Sequence, residues 1–312
     1  MRYRPVDSSR LTTYSLRERT SKVSVEYLAR PHDKGASFGS FVERLPGFLA
    51  ARDIRAVAQA VVAAFRNGRP VILGMGAHAL KVGLSPIIID LMQRGVINAV
   101  ATNGACIIHD FELACIGQTS EDVARELCTG TFGMAEETGR LLNEAISRGV
   151  AEGQGIGRAV GSFIDAADFP FKDRSIFREG FRKDIPMTVH VGIGADIIHM
   201  HHAADGARIG EGSLRDFRLF AGVVAELEGG VYLNLGSAVM LPEVFLKALT
   251  MARNLGHTVE SFTTVNMDFI QHYRPRENVL RRPTMGKGRC FALTGHHEIM
   301  VPLLAALIIE EL

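Results

Sequence analysis

Residues Ile185–His202 read IPMTVHVGIGADIIHMHH. Met187–Val191 is a short apolar run carrying the β-branched Thr188 and Val189, which predicts a buried strand. It stops at Gly192-Ile193-Gly194, where missing Cβ atoms allow a close approach to the backbone. Asp196 follows at once, then His199, His201 and His202. Strand, glycine turn, acid and imidazoles in that order predict one ligand-facing edge of a parallel α/β sheet.

The rest of the chain repeats this alternation. Pro70–Leu73, Val96–Thr102, Val231–Leu235, Phe262–Met267 and Arg289–Thr294 carry strand-like apolar runs. Between them, helical spacing predicts helices over Ile54–Phe65 (with Asp53 as cap), Leu84–Arg94, Gly139–Ile146, a segment from Ser213 as cap to about Leu227, Pro242–Asn254, and a last one reaching Leu312. A short helix is expected between the cap Ser120-Glu121-Asp122 and Leu127, and Gly153–Gly161 as a loop or distorted helix. The expected fold is α/β, a doubly wound and mainly parallel sheet covered on both faces. Residues 1–35 are polar and aperiodic and read as an N-terminal arm. Residues 36–312 read as a single α/β domain.

The 312 residues are 47% hydrophobic and 22% charged, enough to bury a full core. A net charge of +1 and the lack of a Lys/Arg stripe argue against nucleic acid as a partner. Cys106, Cys115, Cys128 and Cys290 form no CxxC pair, as suits reduced thiols. The N-terminus lacks a signal-peptide core and no apolar run reaches spanning length. A soluble cytoplasmic protein with no membrane partner is the expectation.

Several stretches carry chemistry. Gly74-Met75-Gly76-Ala77-His78-Ala79 after a strand fits the loose dinucleotide turn GxGxx(G/A), although Arg94-Gly95 stand where the ribose-binding acid is expected. His78, Asn103, His109, Asp110, Asp196, His199, His201, Asn266, Asp268, Arg274, Glu277, His296 and Glu298 all fall near strand ends, where ligands bind in an open sheet. His199-x-His201-His202 could share a metal on extended backbone, but neither HExxH nor an acid at diagnostic spacing accompanies them. No metal is expected, and proton transfer suits these imidazoles better. Lys287, in a glycine-flanked loop, is an amine able to form an imine.

These stretches together resemble the deoxyhypusine synthase family, as a diverged bacterial-type member, from about Gly35 to Leu304. Gly35–Gly39 is similar to an early NFG-containing segment of that family, and Gly74–Asp110 to its first nucleotide-binding region. Ile185-Pro186, Gly194–Ile198 and His201 resemble its IP…GDMI…H segment. Asp216–Leu219 resembles DLRL, Gly236–Val239 the GGGVV turn, Arg274–Val279 the RPDEAV motif, and Val301–Leu304 the closing FPLL. The resemblance implies a Rossmann-like homotetramer binding NAD. It also implies a reaction, in which an aminoalkyl group passes from a spermidine-like polyamine through a lysine imine to an amine acceptor. Homospermidine synthases of the same family use a small diamine as acceptor. The expected catalytic residues are Asp196 by position, His201 and His109 as proton carriers, and Lys287 through the Gly286-Lys287 dipeptide that resembles the family's Gly-Lys, although an ungapped count from Glu277 to Pro302 puts Pro283 at the imine-lysine place. Gly74, Gly76, Thr102, Asn103, Gly104, Asp110, Gly236, Ser237 and Asn266 are expected at the cofactor, and Glu277, Asp196 and His296 at the substrate. Two alternatives stay open: an NAD-dependent enzyme on another small substrate that uses histidines for acid/base work, and a non-catalytic ligand-binding relative.

Overall fold

Strand β1 (Val71–Met75) is buried at every residue and lies in the middle of a six-stranded sheet. Its neighbours are β2 (Ala99–Asn103), β3 (Met187–His190), β4 (Val231–Leu235), β5 (Thr263–Asp268) and β6 (Arg289–Thr294). The computed structural model describes residues 3–312. The spatial order is β3-β2-β1-β4-β5-β6 and every pairing is parallel. The chain therefore works outward from β1 in one direction, returns, and works outward from β4 in the other. That reversal leaves a crevice outside the carboxyl ends of β1 and β4. The fold class expected from the alternation is the one observed.

Helices fill the crossovers that a parallel sheet requires. In chain order they are α1 (Phe38–Arg44), α2 (Leu49–Arg66), α3 (His78–Lys81), α4 (Ser85–Gln93), α5 (Gly104–Ile116), α6 (Val123–Thr129), α7 (Glu136–Ala151), α8 (Ile156–Ala166), α9 (Ile176–Arg182), α10 (Gly206–Ala225) and α11 (Met240–Asn254). Then come α12 (Tyr273–Pro275), running on as a π-helix (Arg276–Arg281), and α13 (His297–Glu311). Alternate strand residues face opposite layers. Val71, Leu73, Leu233, Val265 and Met267 face α2, α4 and α13. Ile72, Ala99, Ala101 and Tyr232 face α10 and α11, where the Tyr232 and Phe245 rings stack at 3.9 Å.

The chain divides at Arg52/Asp53 into two compact units. In the first, Asp7, Ser15 and Ser24 cap three single 3-10 turns. There the segment before α1 lies against the end of that helix: Gly47 N donates to Tyr27 O at 2.9 Å, and Arg44 pairs with Asp33. The second unit holds the sheet. Among the described residues no helix is long and apolar enough to cross a membrane.

Several local expectations are corrected. Asp53 lies inside α2, which begins at Leu49. Residues 156–166 form a regular helix. The cap of α10 is Asp205, which accepts from Ala207 N and Arg208 N at 2.9 and 3.1 Å. Ser213 sits two turns further on, and its hydroxyl bonds the end of β3 at Val189 O and Val191 N. Helices α5 and α9 and the turns after Tyr273 were not legible in the sequence pattern.

Candidate active site

Asn103 and His190 lie side by side at the carboxyl ends of β2 and β3. The chain leaves β2 directly into α5, so the first amides of that helix point out of the edge. It leaves β3 into the glycine turn, where Gly194 takes φ +87° and Ala195 N donates to Gly192 O at 2.9 Å. This turn carries Asp196 across the gap and over the start of α5. A Cβ on Gly104 would stand 2.1 Å from Asp196 Oδ2, so the carboxylate occupies the space that this glycine leaves. The Ala105 amide hydrogen-bonds it, while burial is the larger influence and pushes its pKa up to about 6. A carboxylate at a helix N-terminus is also favoured by the helix dipole.

Below Asp196 lies a cavity of about 200 Å³ whose lining includes Lys81, His109, Glu112 and Glu121. His109 and Glu112 stand one turn apart on α5. Thr119 Oγ1 donates to Glu112 Oε2 at 2.5 Å and contacts His109 Nδ1 at 2.6 Å. Because the threonine proton goes to the carboxylate, Nδ1 must be the donor in the second bond, which leaves Nε2 as the acceptor. Thr138 Oγ1 donates to the other Glu112 oxygen at 3.0 Å. Burial, and secondly the charge of Lys81, lower the His109 pKa to about 4, so the ring is neutral near pH 7. The site thus combines a half-buried carboxylate with an imidazole of fixed tautomer. It can hold a cationic amine and accept its proton. Glu112 and Thr119 were missed in the sequence because α5 was not recognised, and Lys81 because the short α3 was not. The Gly117 that closes α5, at φ +74°, was the available signal.

The other expected catalytic residues are placed differently. His201 packs its ring onto Gly139 of α7, where a Cβ would stand 2.0 Å away, and its Nδ1 is buried without a partner. His199 Nδ1 accepts from Gly194 N at 3.2 Å and so braces the glycine turn. Lys287 precedes β6 instead of following it, which puts it at the amino end of the strands, opposite Asp196. There its ammonium pairs with Glu260 at 2.7 Å. The imine role that the resemblance implies for Lys287 is therefore not supported within this chain. Glu277 lies in the π-helix and bonds Arg281 at 2.5 Å, so it is already neutralised. His296 stacks on Phe269 at the carboxyl ends of β5 and β6, several strands from Asp196.

The residues expected at the cofactor divide into two groups. Gly76, Asn103, Gly236 and Ser237 lie at the carboxyl edge, around the crevice. The others also have roles within the fold. Gly74 is a strand residue whose missing side chain houses the Tyr232 hydroxyl, 2.3 Å from where a Cβ would be. Thr102 is buried and donates to Thr188 O at 3.2 Å. Asp110 is buried and binds Ser175 Oγ at 2.5 Å and Ile176 N at 2.9 Å, capping α9. Asn266 receives Asn234 Nδ2 at 2.7 Å inside the sheet. Gly104 makes room for Asp196.

The crevice can be tested against a nicotinamide dinucleotide. The opening amides of α3 have no intrahelical partner. Asn103 offers an amide side chain at the end of β2, where a ribose diol is expected. Behind Gly236, at φ +62°, His297 is buried with an unpartnered Nδ1. Donors to phosphate and ribose are thus present at the reversal point, with a neutral amide in place of the usual acid.

No family model and no curated protein matches the sequence. Solved structures match it by shape. A ternary complex of AgrE with ornithine and NAD+ has 14% identity and a TM-score of 0.53, covering 83% of this chain and 33% of that one. A LOR/SDH protein from Methanococcus maripaludis S2 has 16% identity and a TM-score of 0.52, covering 83% of this chain and 70% of that one. A protein assigned as a deoxyhypusine synthase from Entamoeba histolytica has 12% identity and a TM-score of 0.53, covering 90% of this chain and 96% of that one. The chain spans about a third of the length of ArgZ and AgrE. At these identities the likeness is one of fold.

Proposed function

We propose that this chain is an NAD-dependent enzyme that oxidises a small amine at the carbon next to nitrogen. One observation carries the reading: Asp196, a half-buried carboxylate held by a single amide, lines a cavity at the carboxyl edge of a sheet wound in the dinucleotide-binding order. The structurally similar AgrE binds ornithine together with NAD+, which fits the same class of chemistry. Bound NAD would supply the hydride acceptor. Gly76, Asn103, Gly236, Ser237 and the first amides of α3 are the groups that would hold it.

The chain's own residues then have separable tasks. Asp196 pairs with the substrate ammonium and fixes its position. The nitrogen must lose a proton before its neighbouring C–H bond becomes hydridic, and His109 Nε2, kept unprotonated, accepts the hydrogen bond along which that proton leaves toward solvent. Glu112 and Thr119 keep the imidazole in the required tautomer. The aminoalkyl transfer implied by the resemblance needs a second amine close to the oxidised carbon, and Lys287 does not supply it from its rim. Oxidation is the half of that chemistry which the site supports. A homotetramer belongs to the same proposal, and sedimentation equilibrium tests it.

Calorimetric titration with NAD+ tests the reading. Saturable NAD+ binding is expected in the wild type and in Asp196→Asn, with amine binding in the presence of NAD+ lost in the variant. A folded wild type that binds no NAD+ would overturn it.

A further inference from the structure

The cavity under Asp196 holds charges of both signs, and most of them are already engaged. Both Glu112 oxygens receive threonine hydroxyls. Glu121 accepts from Gly133 N with both oxygens, at 3.2 and 3.0 Å. His109 is tied to Thr119. Two groups remain. Asp196 has the Ala105 amide alone. Lys81, the last residue of α3, is solvent-exposed at the mouth of the same cavity and has no hydrogen bond or ion pair among the described residues. The two do not pair with each other. A free ammonium and a free carboxylate in one small cavity form a complementary mould for a ligand bearing the opposite charges.

We infer that the substrate of this site is a zwitterion: an amino acid whose ammonium is held by Asp196 and whose carboxylate is held by Lys81. The inference rests on the amine reading above and narrows it. A di- or polyamine would bring a second cation toward Lys81 and meet like charge. An amino acid gives Lys81 a partner of the right sign, and ionic hydrogen bonds of this kind are the strong ones. The sheet order also places the two charges sensibly. Lys81 follows β1, beside the crevice, and Asp196 follows β3, two strands away. The substrate would lie across the end of β2 with its carboxylate nearer the crevice.

Matched pairs test this. L-ornithine against putrescine, and L-alanine against ethylamine, differ by one carboxylate. Calorimetric titration in saturating NAD+ should show the amino acid of at least one pair binding about tenfold or more tighter than its decarboxylated partner. Lys81→Met should erase that preference by weakening amino-acid binding, with NAD+ affinity and the unfolding midpoint unchanged. Lys81→Arg should restore it in part. Equal binding within both pairs, or a preference that survives Lys81→Met, would overturn the inference. If the decarboxylated amines alone bind, the amine reading stands and the zwitterion falls. If neither class binds to folded, NAD+-loaded protein, both fall.

Discussion

Asp196 is an acid by composition and a cation-binding group by position. Burial raises its pKa to about 6, so near pH 7 it is mostly ionised, and below 6 it is mostly neutral. Only the ionised form attracts an ammonium. We therefore expect kcat/KM for the amine to rise with pH through an apparent pKa of about 6 in the free enzyme and then level. A pH–rate profile checks this, and a limb that falls through the same range would contradict it. Asp196→Asn should remove the limb and cost about a hundredfold or more in kcat/KM, as loss of a desolvated charge partner does. The tautomer of His109 gives a second expectation at this scale. Thr119→Val leaves Nδ1 without its acceptor, so kcat should fall about tenfold while NAD+ affinity stays, as steady-state kinetics and titration would show.

The decisive element is α5. Its N-terminus seats Asp196 and its second turn carries His109 and Glu112. Gly104→Ala adds a methyl where the carboxylate now lies. The helix itself gains from Ala over Gly by up to about 1 kcal/mol. Urea unfolding should therefore show little net loss while amine affinity drops at least about tenfold. A large loss of both would mean that the glycine serves the fold instead. This helix also marks the limit of what the sequence shows. Its residues from Cys106 to Phe111 are nearly all buried. A helix covered on most sides has no apolar stripe to betray its period. The strands were legible for the opposite reason: β4 and β6 are apolar runs bounded by glycines, and their limits match the expected ones. Ser213 misled because a hydroxyl that bonds a neighbouring strand looks, in one dimension, like a cap. Lys287 misled because its Gly-Lys dipeptide resembles a motif while topology sends it to the other rim.

At the scale of the whole molecule, the sheet order sets what each glycine is for. Gly74 and Gly76 fit a dinucleotide pattern, yet Gly74 is required by the Tyr232 phenol, and a Cβ on Gly76 would lie 2.7 Å from the Gly236 carbonyl. Contact with β4 accounts for Gly74, whereas Gly76 both packs against the end of β4 and lines the crevice, and no linear pattern separates the two causes. Gly74→Ala should consequently destabilise the protein by about 1–3 kcal/mol through overpacking, with NAD+ affinity unchanged in the folded fraction. Denaturant melts and titration read the two effects separately. The phenol hydroxyl is buried without a partner, so Tyr232→Phe should be neutral or stabilising and should partly rescue Gly74→Ala. What the sequence made legible was the alternation and the carboxyl edge on which Asp196 lies. What it hid was which polar residues the core had already claimed.

The most direct measurement is rapid mixing of the protein with NAD+ and an amino acid (L-ornithine, L-lysine or L-alanine in turn) while the ultraviolet band of reduced nicotinamide is followed. The account predicts that the band grows with at least one of them, needs both ligands, and is absent in Asp196→Asn. No band with any amine, or an equal band in the variant, would contradict it.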